Sequence, residues 1–189
     1  YVAVSVMNVY IGKIKLHSKY KSIPMVARVS LVDGWGHILL DSYVRPTHPV
    51  EDYRTSETGL NYLHICNAPE FVDIQERVAR IIKNKILVGH RIWNFLSVLG
   101  LSHPALNTRD LALFRPLRKK LQSRSVIDLS TLVYIFMGRD IGLDHEDSLE
   151  FSRAAMCLFR SCEDTFEGII ATGAWPCDLP PSVYAENYS

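Results

Sequence analysis

The stretch that most constrains this chain is its beginning. Residues 1–12, Tyr-Val-Ala-Val-Ser-Val-Met-Asn-Val-Tyr-Ile-Gly, are rich in β-branched residues and read as a strand. Side chains alternate along a strand, so Ala3, Ser5, Met7 and Val9 share one face and Val2, Val4, Val6 and Asn8 the other. Both faces carry apolar residues, the pattern of a strand covered on both sides and central in its sheet. Such a strand needs packed layers above and below it, and 189 residues with 48% hydrophobic and 22% charged content suffice for one globular domain of that kind. The stretch holds no carboxylate at all. Because the chain opens inside a strand, it is expected to be a domain cut from a longer protein.

The rest alternates strand and helix signals. Residues 13–21 read as a basic, polar connection. Residues 25–32 and 37–44 read as strands joined by Asp33-Gly34-Trp35-Gly36, a hairpin signal. Residues 45–58 read as a long surface loop of the kind that often carries function. Phe71, Ile74, Val78, Ile81 and Ile82 recur at helical spacing within 70–84. A short buried strand is predicted over 85–89 and a short helix over 91–99. Residues 101–124 look irregular, and a helix over 127–137 ends at Gly138. Asp147-Ser148-Leu149-Glu150 is a capping box that opens a last helix running to about residue 172. Strands and helices in this order give a mixed α/β sheet.

A formal net charge of +1 neither demands nor excludes nucleic acid, since local patches matter more than the sum. No apolar run is long enough for a membrane helix, no signal peptide is visible, and no membrane partner is expected. Cys66, Cys157, Cys162 and Cys177 lack Cys-x-x-Cys spacing and read as reduced thiols of a nuclear or cytoplasmic protein. Arg115, Arg118, Lys119, Lys120 and Arg124 form a basic run, the candidate nucleic-acid contact, with a solvated surface as the plainer reading. Trp93 reads as a core residue before it reads as a stacking platform. The domain is expected over residues 1–173. Residues 174–189 form a proline-containing tail that either packs back or docks to another protein.

Several of these pieces together resemble one family. Ala27-Arg28-Val29-Ser30, the hairpin, Val44-Arg45-Pro46, Val50-Glu51-Asp52-Tyr53-Arg54-Thr55 with Thr58-Gly59-Leu60, and Asn67-Ala68-Pro69 resemble the RNA exonuclease 4 group of DEDDh exonucleases. Ile86-Leu87-Val88-Gly89-His90, Asn94, Arg109-Asp110, Arg115-Pro116-Leu117-Arg118-Lys119 and Arg153-Ala154-Ala155-Met156 continue the likeness. It implies an RNase H-like fold, a five-stranded mixed sheet with its first strand central and helices on both faces. It also implies 3′-end cleavage by two divalent metals about 3.5–4 Å apart, held by four acids beside a histidine that activates water.

The resemblance places the family's four acids at Ser5, Met7, Phe95 and Phe151, and its histidine at Glu146. No carboxylate stands at the four metal positions, so the site reads as degenerate, with no catalytic residue and no cofactor. Asp147 and Glu150 read as the helix cap, and Asp144 and Glu146 as solvated charges; His145 is one position from the family's histidine. Met7, Phe95 and Phe151 read either as a plug that fills the old metal hollow or as an apolar pocket for a partner side chain. The expectation is therefore a pseudo-exonuclease: no enzyme, but a protein-binding scaffold of a nuclear RNA-processing, RNA-silencing or chromatin-linked complex. Its alternatives are a non-catalytic RNA-binding domain and an active 3′-5′ exoribonuclease with rearranged ligands.

Overall fold

A computed structural model describes residues 1–16 and 19–189. Among these, β1 (Val2–Leu16), β2 (Lys19–Asp33), β3 (Ile38–Tyr43), β4 (Leu87–Gly89) and β5 (Thr108–Asp110) form one mixed sheet in the order β3-β2-β1-β4-β5. β1 runs antiparallel to β2 and parallel to β4. Its central place follows from its two apolar faces. Val2 and Val4 look toward α3 (Phe71–Ile82) and α4 (Ile92–Leu99), packing with Ile74, Val78 and Leu96. Ala3 looks the other way, into a core shared with Leu132 of α6 (Leu129–Met137) and with Ala154 and Phe159 of α7 (Ser148–Ala171). A third cluster joins Met7 and Val9 to Leu60 and Ile65, beneath the short helices α1 (Thr55–Thr58) and α2 (Tyr62–Ile65).

Two sequence expectations change. Residues 13–21 are strand on both sides, up to Leu16 and again from Lys19, so the ladder runs out into an extended ribbon; residues 17 and 18 of the expected connection lie outside the described residues. The Lys-Ile-Lys-Leu alternation over 13–16 is short and half lysine, which reads as a polar connection; cross-strand pairing with residues 19–22 is what makes it strand. Residues 101–124 hold β5 and then α5 (Arg115–Lys120). β5 is three buried residues long, too short for any periodicity to show, and exists because Thr108, Arg109 and Asp110 pair with Leu87, Val88 and Gly89.

The tail packs back on the domain. The Arg115 N–H donates to the Pro176 carbonyl at 3.1 Å, Asp178 N–H to Leu113 at 2.9 Å, and His103 N–H to Asn187 at 3.0 Å. Cys177 is buried under it, and all four cysteines are free. Among the described residues, no helix is long and apolar enough to cross a membrane.

Candidate active site

β4 pairs with β1 only at Val2 and Ala3. Past that point β1 continues without its parallel neighbour, and a cleft of about 400 Å³ opens at the carboxyl end of β4. Open α/β sheets bind ligands at such strand ends. Val4, Ser5 and Val6 form its floor; His90, Arg91, Asn94 and Phe95 come from the β4–α4 turn and α4. Asp128 and Ser130 enter from the start of α6, Glu146 from the loop before α7, and Phe151 from the first turn of α7.

The β4–α4 turn is fastened from behind. Arg91 sits in the left-handed region at φ 58°. Its N–H and that of Ile92 donate to the Asp110 carboxylate at 3.0 and 2.7 Å, and Ala112 N–H adds a third bond at 2.9 Å. Asp110 is fully buried; burial pushes its carboxyl up to about 6, against those three donors, which pull the other way. His90 Nε2 lies 2.7 Å from the Ile127 carbonyl, which makes it the donor of a neutral ring, and burial lowers its pKa to about 4.

The opposite wall is braced by the Asp-Tyr-Arg-Thr block. Arg54, also left-handed at φ 52°, reaches Glu146 Oε1 at 3.0 Å and the Asn8 carbonyl at 3.3 Å, with its guanidinium over the Tyr10 ring. Asp52 holds the Arg54 N–H at 2.7 Å, and Glu146 N–H donates to the Glu57 carbonyl at 2.6 Å. Glu146 is therefore a held carboxylate on the cleft wall, not a free solvated charge. Across the cleft Arg91 pairs with Asp128 at 2.9 Å. Asp147 caps α7 by accepting the Glu150 N–H at 2.8 Å, and Arg28 holds its other oxygen at 2.7 Å. Those bonds keep its carboxyl below the usual carboxylate range although desolvation opposes them. Glu150 turns to the Gly142 N–H at 2.9 Å.

Of the five positions singled out by the resemblance, the structure gathers Ser5, Phe95, Glu146 and Phe151 around the cleft, and does not bring Met7 there. Met7 is 3% exposed in the third core cluster. Phe95 is 2% exposed and belongs to the α3–α4 core while its edge meets the cleft; Phe151 is half-buried against Gly142. Trp93 is a core residue. The basic run does not reach the cleft. Arg115 binds tail carbonyls, Arg118 binds Asp178 and the Arg124 carbonyl, and Lys120 lies over the Phe136 ring. None of Arg115, Arg118, Lys119, Lys120 and Arg124 lines the cleft; Arg115 and Arg118 anchor the tail instead. Sequence reasoning missed Asp128 and Arg91. Asp128 could have been noticed as the acid standing directly before the apolar run of α6.

Divalent metals of the two-metal kind need several oxygen ligands converging within a few ångströms. Here Glu146 and Asp128 are each taken up by an arginine, and Met7 and Phe95 are apolar core. Among the described residues, no three His, Cys, Asp or Glu side chains cluster so as to hold a metal ion. The four-carboxylate metal pair does not fit these residues.

The sheet order, the central first strand and this cleft define an RNase H-like exonuclease fold. An exonuclease family model matches residues 13–104. RNA exonuclease 4 of Mycosarcoma maydis is 43% identical over 139 residues, covering 72% of this chain and 37% of that protein. RNA exonuclease 4 of Candida albicans is 38% identical over 160 residues, 85% of this chain and 54% of that one. Among solved structures, the Saccharomyces cerevisiae Pan2 pseudoubiquitin hydrolase–RNA exonuclease module in complex with AAUUAA RNA shares the fold, with a TM-score of 0.73 at 22% identity over 98% of this chain and 31% of that one. The exonuclease-domain match and the RNA exonuclease 4 relatives support assignment of the chain to the DEDDh exonuclease family. The chain spans about a third to about half of the relatives it matches.

These relatives correct the expectation of a pseudo-exonuclease that is no enzyme and serves as a protein-binding scaffold. They carry the name of an enzyme across most of the chain, and a non-catalytic RNA-binding domain is not favoured for the same reason. Glu146 reads from its sequence as a solvated charge and Asp128 only as the acid before the apolar run of α6, whereas the fold turns both toward the cleft.

Proposed function

We propose that this chain is an exoribonuclease domain that takes the 3′ end of an RNA strand into the cleft between β1, α4 and α7, in RNA processing in the nucleus or cytoplasm. The observation that carries the proposal is the 43% identity to an RNA exonuclease 4 over 72% of the chain. The cleft offers suitable chemistry: Arg91 for phosphate, Asn94 and Ser130 as polar partners, and the Phe151 ring on the wall. Glu146 is the proton acceptor in this proposal. Its side chain is 41% exposed, its carboxylate is oriented by Arg54, and it stands where the resemblance puts the family's water-activating histidine. Arg54 is a positioning residue. The four metal-ligand positions hold Ser5, Met7, Phe95 and Phe151, so no step here is assigned to a metal.

The test is incubation of a 5′-labelled single-stranded RNA with the domain, in chelator and in Mg²⁺ or Mn²⁺. The expected result is a ladder shortened from the 3′ end in at least one condition, lost in Glu146→Gln and weakened in Arg54→Lys, with both variants folded. RNA left intact in every condition overturns the proposal. Cleavage that Glu146→Gln leaves unchanged removes Glu146 from it.

A further inference from the structure

We infer that the β1–β2 ribbon beyond the sheet is a second RNA-contact surface, which holds the single strand upstream of the 3′ end seated in the cleft. The inference rests on the RNA reading above and extends it to a part of the molecule that neither the cleft nor the basic run of α5 uses.

Three observations carry it. The first is charge. No Asp or Glu occurs before Asp33, while Lys13, Lys15, Lys19 and Lys21 all lie on the ribbon and are exposed. Lysines on a strand edge also serve to prevent edge-to-edge association, but a surface built only for solubility mixes both signs. This one is purely cationic; Glu51 and Asp52 meet it at its root, where their N–H groups donate to the Tyr10 carbonyl.

The second observation is the register. Lys15 stands opposite Tyr20 and Lys13 opposite Ser22, so these four share one face, while Ile14 pairs with Lys21 on the other. Tyr20 is 70% exposed and Ile14 46%. One face thus presents two ammonium groups beside an unburied aromatic ring. That is the combination that tracks a phosphate backbone and stacks a base without reading sequence.

The third observation is position. β1 supplies the floor of the cleft at Val4, Ser5 and Val6 and then runs directly into the ribbon. At about 3.3 Å per residue, Lys13 and Lys15 stand about 23 and 30 Å along the strand from Val6. A strand whose 3′ end occupies the cleft meets these groups several nucleotides upstream. The ladder shifts register between Tyr10 and Lys13, next to Gly12, where the ribbon begins.

The test compares binding of an RNA of about 4 nucleotides, which the cleft alone can hold, with one of about 16. In wild type the longer RNA is expected to bind tighter, with the steeper salt dependence. The variant Lys13→Gln/Lys15→Gln/Lys19→Gln/Lys21→Gln is expected to lose most of that advantage, with the salt slope for the long RNA falling by about 1.4, from the two phosphate contacts of Lys13 and Lys15 at about 0.7 each. Tyr20→Ala should weaken the long RNA by about 5- to 150-fold, the range for one stacked base. A control of equal charge change on α3 and just after it, Arg77→Gln/Arg80→Gln/Lys83→Gln/Lys85→Gln, should lose little. Equal losses in the ribbon and control variants, or equal losses on short and long RNA, overturn the ribbon as a contact surface. A wild type that binds neither RNA overturns both this inference and the RNA reading beneath it.

Discussion

Two acidic corners of this molecule lie on either side of the same turn, and they are built oppositely. Asp110 is buried behind the β4–α4 turn, 3% exposed, with three backbone N–H donors. Glu146 stands on the open wall, 41% exposed, held by one arginine. A carboxylate that satisfies orphan donors at a helix start is a structural fastener, because removing it strands those donors in the interior. One that is oriented yet exposed is free to exchange a proton with solvent. Burial and place together separate the acid that holds the site, buried behind the turn, from the acid proposed to work in it, exposed on the cleft wall.

The largest effect should come from the core behind the cleft. Phe95→Ala is expected to cost about 3–5 kcal/mol, from lost transfer energy and the cavity left behind. For a domain of this size that lowers the melting temperature by about 6–20 °C. Phe151→Ala, at a half-buried position, should cost clearly less in the same thermal melt. Equal losses would show that the cleft wall is as much core as the α4 helix is.

Asp110→Ala comes next, at about 2–4 kcal/mol for stranded buried donors, with Asp110→Asn recovering part of the loss. Glu146→Gln should change stability by less than about 1 kcal/mol, as for other partly exposed ion pairs. Chemical denaturation of the three variants checks the contrast. A Glu146 variant as unstable as the Asp110 variant would erase the distinction between the two corners.

The smallest effect in wild type is the pH dependence, because two opposing contributions nearly cancel. A folded-state carboxyl raised from its ordinary 3.8 to about 6 binds protons more readily than in the unfolded chain. Asp110 therefore contributes stability that is lost as pH rises from about 4 to about 6. His90, lowered to about 4, does the reverse: the unfolded chain binds the proton first, so its contribution is lost as pH falls from about 6.5 toward 4. The two slopes oppose, and wild type is expected to be nearly level between pH 4.5 and 6, values set by those two shifts. Stability in Asp110→Asn should then climb with pH across that window, and in His90→Asn fall. Denaturation midpoints at several pH values read both slopes; identical slopes in the two variants would break the assignment.

The amino-acid sequence by itself determined a good deal of this architecture. Two apolar faces made the first strand central, helical spacing announced α3, and Asp147 with Glu150 announced the start of α7. Local periodicity encodes elements whose burial repeats along the chain, and the Asp-Tyr-Arg-Thr block was specific enough to carry the family resemblance. Only the tertiary structure decided the rest. β5 is three residues that become a strand by pairing, and the alternation of Lys13-Ile14-Lys15-Leu16 is too short and too rich in lysine to mark a strand without the pairing that extends it. Asp128, Arg91, Asp110 and Glu146 come from four separate stretches, and nothing in their local sequence says which is sealed and which faces the cleft. Met7 and Ser5 are two residues apart on one strand, yet one is core and the other cleft floor. Those assignments follow from where β4 ends and from what packs over each position, and both are properties of the folded chain.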